Sequence, residues 1–214
     1  MRPPNFRIRP LGVATANVLA ALGVLTAPPA FADAVVMYDA AAGTLPSQQG
    51  WAFLTDPLFL AKSKQSLADG AAVLDSTPAT AEKAGWFSNL APFPKHPRQP
   101  SLEAASGFVV SFSVRLNSES HNRPERAGFS LIATASNLSG IELAFWPDQV
   151  WAQSGTDFLH AETASLDTTA GRVRYDLEIL GNRYRLSADG RAVLTGDLRR
   201  YDSFGTPYNI PEFL

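Results

Sequence analysis

Hydrophobic and polar residues alternate with a period of two along several stretches of this chain. The clearest stretch runs from Gly107 to Asn117, where every second residue is apolar. The apolar positions are Phe108, Val110, Phe112, Val114 and Leu116. Successive side chains of a strand point to opposite faces, so this alternation predicts a strand with one buried face.

Turn signals predict how further strands pair. Asp69-Gly70, Gly181-Asn182 and Asp189-Gly190 each separate two alternating stretches, as expected for two-residue hairpin loops. The residues expected opposite each other are Gln65 and Leu74, Leu67 and Ala72, Leu177 and Leu186, Ile179 and Tyr184, and Leu186 and Val193. The last two turns place their apolar residues on one common face, so they predict a continuous meander.

A further hairpin is predicted at Pro147-Asp148, between residues 141–146 and 149–154. Its direct register puts Ile141, Leu143, Phe145, Val150 and Ala152 on the inner face. The opposite face then carries Glu142, Trp146, Trp151 and Gln153.

Together these patterns predict an all-β fold, an antiparallel two-sheet sandwich of the jelly-roll kind. We expect Phe108, Val110, Phe112, Leu143, Phe145, Leu177, Ile179 and Leu186 to be buried. Four prolines between Pro92 and Pro100 predict a loop. That loop is either a domain linker or a long surface loop, and the small number of strands before it favours the second.

The first 32 residues have the pattern of a secretory signal peptide. Arg2, Arg7 and Arg9 form a positive n-region, and an apolar stretch extends to Leu25. The sequence Ala30-Phe31-Ala32 then provides a small-residue cleavage site. The apolar stretch is short for a membrane span. We therefore expect a signal peptide over residues 1–32, one β-sandwich domain over 33–214, no membrane span after cleavage, and a secreted, periplasmic or cell-surface location.

Composition narrows the function classes. The 214-residue chain has a net charge of −2, and loss of the signal arginines makes the remainder more acidic. Nucleic-acid binding depends on clustered Lys and Arg, so no nucleic-acid partner is expected. The chain has no cysteine, so the exported domain would depend on its core without disulfides.

Several short segments resemble a family of secreted bacterial domains. They are Met37-Tyr38-Asp39, Leu45-Pro46-Ser47-Gln48-Gln49-Gly50-Trp51, Arg126-Ala127-Gly128-Phe129-Ser130, Gly140-Ile141-Glu142-Leu143 and Pro207-Tyr208. In these the chain resembles choice-of-anchor domains, a group within the concanavalin A-like lectin/glucanase sandwiches. The resemblance implies a bacterial cell-surface or secreted location. It does not imply an activity, because these are framework segments.

The chain departs from that group at its C-terminus. Such domains continue through another strand and an anchor segment, whereas this sequence stops at Leu214. The interpretations are a C-terminally truncated domain or a shortened homologue. Loss of a final strand would leave an open sheet edge.

Candidate chemistry is sparse. Retaining glycosidases need two carboxylates about 5 Å apart, and Glu142 is the only acid in its predicted strand. The three histidines are far apart and lack zinc-ligand spacing. No metal, cofactor or catalytic residue is therefore expected. Arg126 and Glu142 are expected to form an ion pair, interpreted either as structural or as a ligand clamp.

The aromatic face is the candidate binding site. Trp146 and Trp151 beside Glu142 and Gln153 offer planar rings and hydrogen-bonding groups, as sugar-binding surfaces do. A neighbouring strand could add Ser111, Ser113 and Arg115. Three hypotheses stay open: a carbohydrate-binding module, a structural or interaction domain, and a polysaccharide-acting enzyme. An open aromatic groove favours the first, a loop-covered face the second, and a close carboxylate pair the third.

Overall fold

The computed structural model describes residues 5–11, 34–56, 62–78, 82–89, 93–121, 124–125, 128–155 and 159–201. The strands are β1 (Asn5–Pro10), β2 (Val35–Asp39), β3 (Ala52–Asp56), β4 (Lys64–Ala68), β5 (Ala71–Asp75), β6 (Lys83–Phe87), β7 (Phe108–Val114), β8 (Phe129–Thr134), β9 (Ser139–Phe145), β10 (Gln149–Gln153), β11 (His160–Ser165), β12 (Val173–Leu180), β13 (Arg183–Ala188), β14 (Arg191–Asp197) and β15 (Arg199–Arg200). Two short 3-10 helices, Ala40–Ala42 and Pro46–Gln49, lie between β2 and β3. No helix in this described part of the chain has the length and apolar character needed to cross a membrane.

Two antiparallel sheets make up the body of the fold. The first has six strands in the order β14-β13-β12-β7-β1-β2. In the second, β9 pairs with β8 and β10, β10 pairs with β11, and the short β15 pairs with the start of β9. The remaining described strands form two separate two-stranded sheets, β3 with β6 and β4 with β5. The predicted all-β sandwich is confirmed.

The core lies between the two sheets and consists of alternate residues from their strands. All eight residues that the sequence predicts to be buried are at most 5% exposed. From the first sheet, Phe112 stacks on Tyr175 at 5.3 Å between ring centroids. It also meets Phe145 of the second sheet edge-on at 6.2 Å. Aromatic contacts across the interface therefore join the sheets.

Most predicted registers are confirmed. Gln65 pairs with Leu74 and Leu67 with Ala72, while the β12–β13 hairpin pairs Leu177 with Leu186 and Ile179 with Tyr184. Asp69 and Gly70 both have positive φ, as a type I′ turn requires. The Pro147-Asp148 hairpin also has the predicted register, with Val150 opposite Phe145.

One predicted register is wrong. Leu186 pairs with Leu194 and not with Val193, because the β13–β14 ladder shifts between Leu186 and Ser187. The extra residue places Leu194 in the core, where it is 5% exposed. Without this irregularity, strict alternation from the Asp189-Gly190 turn would put Val193 inward and Leu194 outward.

The N-terminal segment occupies an interior position in the first sheet. Residues 5–10, which the sequence assigns to the n-region of an export signal, form β1 between β2 and β7. Ile8 is 2% exposed and belongs to the core. Residues 12–33, which include the predicted apolar stretch and cleavage site, lie outside the described residues. The signal peptide stays a prediction, and its first part also has a structural position.

A compact corner forms where the loop after β2 meets the proline-rich segment. The indole of Trp51 donates to the carbonyl of Met37 at 3.0 Å. The Gln49 side chain accepts from the Asp39 backbone N–H and donates to the Asp39 carbonyl.

The proline-rich segment packs against this corner. The described residues 93–100 contain no strand or helix, as predicted for a loop. His96 from this loop is only 2% exposed and packs edge-on against Trp51.

Candidate functional site

The β9–β10 hairpin positions the aromatic residues of the predicted site. Val150 lies opposite Phe145, so both enter the core between the sheets. Trp151 lies opposite Ala144 and faces the other way. Trp146 joins these two in a separate buried cluster. The hairpin register therefore brings both tryptophans to the outer face of the second sheet, as the sequence predicts.

Two histidines stack on the two tryptophans. His160 in β11 lies face to face with Trp151 at 3.8 Å between centroids, and His121 lies face to face with Trp146 at 3.8 Å. The two indoles meet edge-on at 6.0 Å. We call these four residues the His/Trp cluster. Sequence reasoning missed His121 because it is distant from the hairpin along the chain. It missed His160 because no turn signal indicated the pairing of β11 with β10.

The loop before β8 contributes to the cover over this cluster. His160 Nε2 donates to the Pro124 carbonyl at 2.6 Å. His121 Nδ1 lies 3.0 Å from the Glu119 carboxylate. The side chain of His121 is 31% exposed, whereas that of Glu119 is 6% exposed. The outer surface of the cluster is therefore formed by a histidine held beside a carboxylate.

Burial distinguishes this arrangement from an open groove. Trp151 is 1% exposed and Trp146 is 9% exposed. The polar residues predicted beside them are also buried, with Glu142 at 5% and Gln153 at 1%. A sugar ring needs exposed aromatic surface on which to stack. In the structure, that surface is occupied by imidazole rings.

Gln153 belongs to a hydrogen-bonded network beside the cluster. Tyr201 donates its hydroxyl to Gln153 Oε1 at 3.0 Å, and Arg199 donates to the Gln153 carbonyl at 2.8 Å. Arg199 also forms an ion pair with Glu162 at 2.6 Å, and Tyr184 donates to the same carboxylate. Burial and the nearby Glu162 charge raise the pKa of Tyr184. The network ties β15 to β10, β11 and β13, which is a structural role.

Arg115 lies away from the cluster. It follows β7, and β7 pairs with β1 and β12 in the six-stranded sheet. Its guanidinium is exposed and donates to Asn117 at 3.0 Å. Ser111, which was expected to join the same groove, donates to Asp176 on β12 at 2.5 Å. The structure therefore does not bring these β7 residues to the tryptophan face.

The predicted Arg126–Glu142 ion pair involves a residue outside the described part of the chain. Arg126 lies in one of the gaps, so the pair stays a prediction. Glu142 pairs with Ile132 on β8, and its side chain is buried in the second sheet. A buried carboxylate is stable as an ion only with a charged or hydrogen-bonding partner. That requirement fits either interpretation of the pair.

Other candidate sites are weak. Among the described residues, no group of three or more His, Asp or Glu side chains is placed to hold a metal ion. A shallow surface depression of about 530 Å³ lies at the tip of the β9–β10 hairpin, lined by Pro147, Asp148, Ser165, Leu166, Asp167 and Thr169. Asp167 in its wall accepts hydrogen bonds from Thr169 and Ala170, which lower the pKa of its carboxyl. The carboxylate is thus already used within its own turn.

Comparisons with known proteins give no relative from which a role could be transferred. No protein-family model, no curated protein and no solved structure matches this chain.

Proposed function

We propose that this chain is an exported, non-catalytic structural or interaction domain of the cell envelope or extracellular space. The observation that carries the proposal is the closed His/Trp cluster. Its two tryptophans are buried beneath histidine rings, and a loop-covered face is what the interaction hypothesis requires. The export part of the proposal rests on the signal pattern of residues 1–32.

Catalysis receives less support from the same geometry. Glu142 is the only acid of β9, and it is 5% exposed within the sheet. A general acid or base must reach the reacting atoms of its substrate directly or through one water. A carboxylate covered in this way is better suited to a structural pair than to glycoside hydrolysis.

Carbohydrate binding is the second candidate, and the exposed part of the His121 side chain favours it. This ring lies over Trp146 beside Glu119, so its displacement would uncover an aromatic surface next to a carboxylate. Such a surface would bind a glycan weakly, with a dissociation constant in about the micromolar to millimolar range. The bound sugar would replace the imidazole ring.

The resemblance to choice-of-anchor domains becomes a proposal of the same kind. Its first two segments, around Asp39 and Trp51, form one hydrogen-bonded corner through Gln49 and Met37. This supports a framework role for those residues. We propose that the chain is a divergent member of that group, with a cell-surface, periplasmic or secreted location.

Trp151→Ala separates the two candidate functions. For a structural tryptophan, truncation should cost about 3–5 kcal/mol of unfolding free energy. Chemical denaturation of the purified protein measures this loss, and a glycan array measures binding of the unmodified protein. We expect a large destabilisation and no glycan signal. A bound glycan together with an unchanged melting temperature in Trp151→Ala would support the carbohydrate module instead.

Export has its own test. Mature protein recovered outside the cytoplasm should begin at Asp33, as determined by N-terminal sequencing. Met1 retained in the exported protein would contradict cleavage.

A further inference from the structure

β1 is an interior strand that can be separated from the rest of its sheet. It runs antiparallel to both neighbours, with Ile8 paired to Val110 of β7 and to Val35 of β2. In the described sheet, β2 and β7 do not pair with each other. β1 alone therefore bridges these two strands, and we call the space that it occupies the β1 slot.

The slot selects apolar side chains at its inward positions. Ile8 is 2% exposed in the core. Phe6 packs edge-on against Trp51 at 5.3 Å and lies 6.5 Å from Phe112. Inward positions of an interior strand cannot carry an unpaired charge without a large desolvation cost. An occupant of the slot thus needs apolar residues two positions apart.

The outward side of the slot favours a basic residue. Arg9 pairs with Val109 of β7, and Asp176 of β12 pairs with Ser111, two positions away along β7, so both side chains lie on the outward face of the sheet. Asp176 accepts hydrogen bonds from Ser111 and Arg174. Burial raises the pKa of Asp176, but those hydrogen bonds and the charges of Arg174 and Arg9 outweigh it, so the pKa is lowered. The carboxylate is consequently ionised and attracts a cation at the outward position.

Cleavage after Ala32 would remove the strand that fills this slot. β2 begins at Val35, on the other side of the predicted cleavage site, so it would stay with the domain. Both β2 and β7 would then present unpaired backbone N–H and C=O groups toward the slot. Such edges pair readily with an extended chain, as in β-strand addition.

We propose that the β1 slot is a strand-accepting site, filled in the exported protein by an extended segment of a partner polypeptide. The segment would carry apolar residues at the positions of Phe6 and Ile8 and a basic residue at the position of Arg9. The inference rests on the proposed export and cleavage, because only cleavage vacates the slot.

Strand direction limits how an occupant can enter the slot. β1 runs antiparallel to both β2 and β7, so a segment that replaces it must run antiparallel to both strands.

The test begins with the full chain, so that the domain folds around its own β1. A specific protease site is introduced between residues 12 and 33, and the folded protein is cut there. A labelled peptide of residues 5–11, Asn-Phe-Arg-Ile-Arg-Pro-Leu, is then offered in excess and its binding measured by fluorescence anisotropy. We expect the peptide to exchange into the slot.

Peptide variants test the chemistry of the slot. Ile8→Asp should weaken binding by at least about tenfold, which corresponds to about 1.4 kcal/mol. Arg9→Glu should also weaken it, by less, because its outward position is not enclosed in the core. A peptide of identical composition with Phe and Ile placed next to each other, so that they no longer stand two positions apart, serves as the matched control and should not compete.

Three results would overturn the proposal. The first is equal binding of the Ile8→Asp peptide. The second is an unchanged melting temperature after the cut segment has left, which would show that the sheet closes by itself. The third is dimerisation of the cut protein that excludes the peptide, which would make a second copy the occupant. Failure of export is seen separately: Met1 retained in exported protein would refute cleavage, whereas peptide exchange in vitro would still report on the slot.

Discussion

At the scale of single residues, several buried polar atoms in the described structure make no hydrogen bond. The Tyr175 hydroxyl and the Trp151 indole N–H are two of them. Tyr175 is completely buried between Phe112 and Phe145, and burial, with the nearby Asp189 charge, raises its pKa to about 12. Most buried polar groups in native proteins have a partner. The aromatic ring of Tyr175 is therefore the part that stabilises the core.

Tyr175→Phe should consequently leave stability unchanged or increase it, by up to about 1–3 kcal/mol, since the unsatisfied hydroxyl is removed and the ring is kept. Urea denaturation at neutral pH measures the change. Tyr184→Phe provides the matched control, because the Tyr184 hydroxyl donates to Glu162, so its removal should destabilise. Destabilisation by Tyr175→Phe as large as that of the control would show that the hydroxyl has a partner.

His96 should make stability depend on pH. Burial lowers its pKa below the ordinary value of 6.5, Arg98 lowers it further, and backbone contacts at Gln49 and Met37 do not cancel these effects. The unfolded chain therefore binds the proton at a higher pH than the folded protein does. Stability should fall as the pH decreases below about 6.5 and stop falling below the folded pKa.

The measurement is the melting temperature at intervals from about pH 7 to pH 5, where carboxylates with lowered pKa contribute little. His96→Asn removes the titrating group and retains a side chain able to accept from the Arg98 backbone N–H, as His96 Nδ1 does. The variant should show a shallower dependence on pH than the unmodified protein. Parallel curves for the two proteins would contradict the prediction.

At the scale of elements, β9 is packed closely against its neighbour β8. Gly140 pairs with Thr134, and a Cβ at this position would overlap the Ala133 carbonyl and lie 2.9 Å from the Thr134 Cα. Backbone atoms of a paired strand cannot move aside as the end of a flexible side chain can. The close approach explains why glycine occurs in an otherwise apolar strand.

Gly140→Ala should therefore destabilise the protein by about 1–3 kcal/mol through overpacking. Gly171→Ala is the matched control, because a Cβ there meets no atom within 4 Å. Denaturation curves of the two variants should differ by most of the expected cost. Equal stability of both would show that β8 and β9 separate without penalty.

Local signals predicted the elements whose pairing is determined by adjacent turns. The hairpins at Asp69-Gly70, Gly181-Asn182 and Pro147-Asp148 have the expected registers. The shift opposite Leu194 was not predicted, because an extra residue in a ladder leaves no turn signal. The position of β1 was missed for a different reason: its arginines and the apolar residues after it match a signal peptide, and the pattern does not report long-range pairing.

At the scale of the whole molecule, burial on both faces of the second sheet determines what the candidate site can do. The sequence predicted correctly which residues share the outer face, because alternation along β9 and β10 decides it. It did not predict that His121 and His160 cover this face. Contacts between residues far apart in the chain decide exposure, and a two-residue period distinguishes faces without revealing what lies above them.

Aromatic contacts between the two sheets should make the sheets unfold together. Phe112 contacts Tyr175 within its own sheet and Phe145 across the interface, so its truncation removes packing from both sheets. Phe112→Ala should cost about 3–5 kcal/mol. Leu67→Ala in the separate β4–β5 hairpin should change stability by less than about 0.5 kcal/mol, since Leu67 is 43% exposed.

Urea unfolding followed by tryptophan fluorescence and by far-ultraviolet circular dichroism should give coincident transitions for each protein. Both transitions should be displaced to lower urea concentration in Phe112→Ala. Two separated transitions would mean that the sheets unfold independently and that the aromatic contacts between them contribute little.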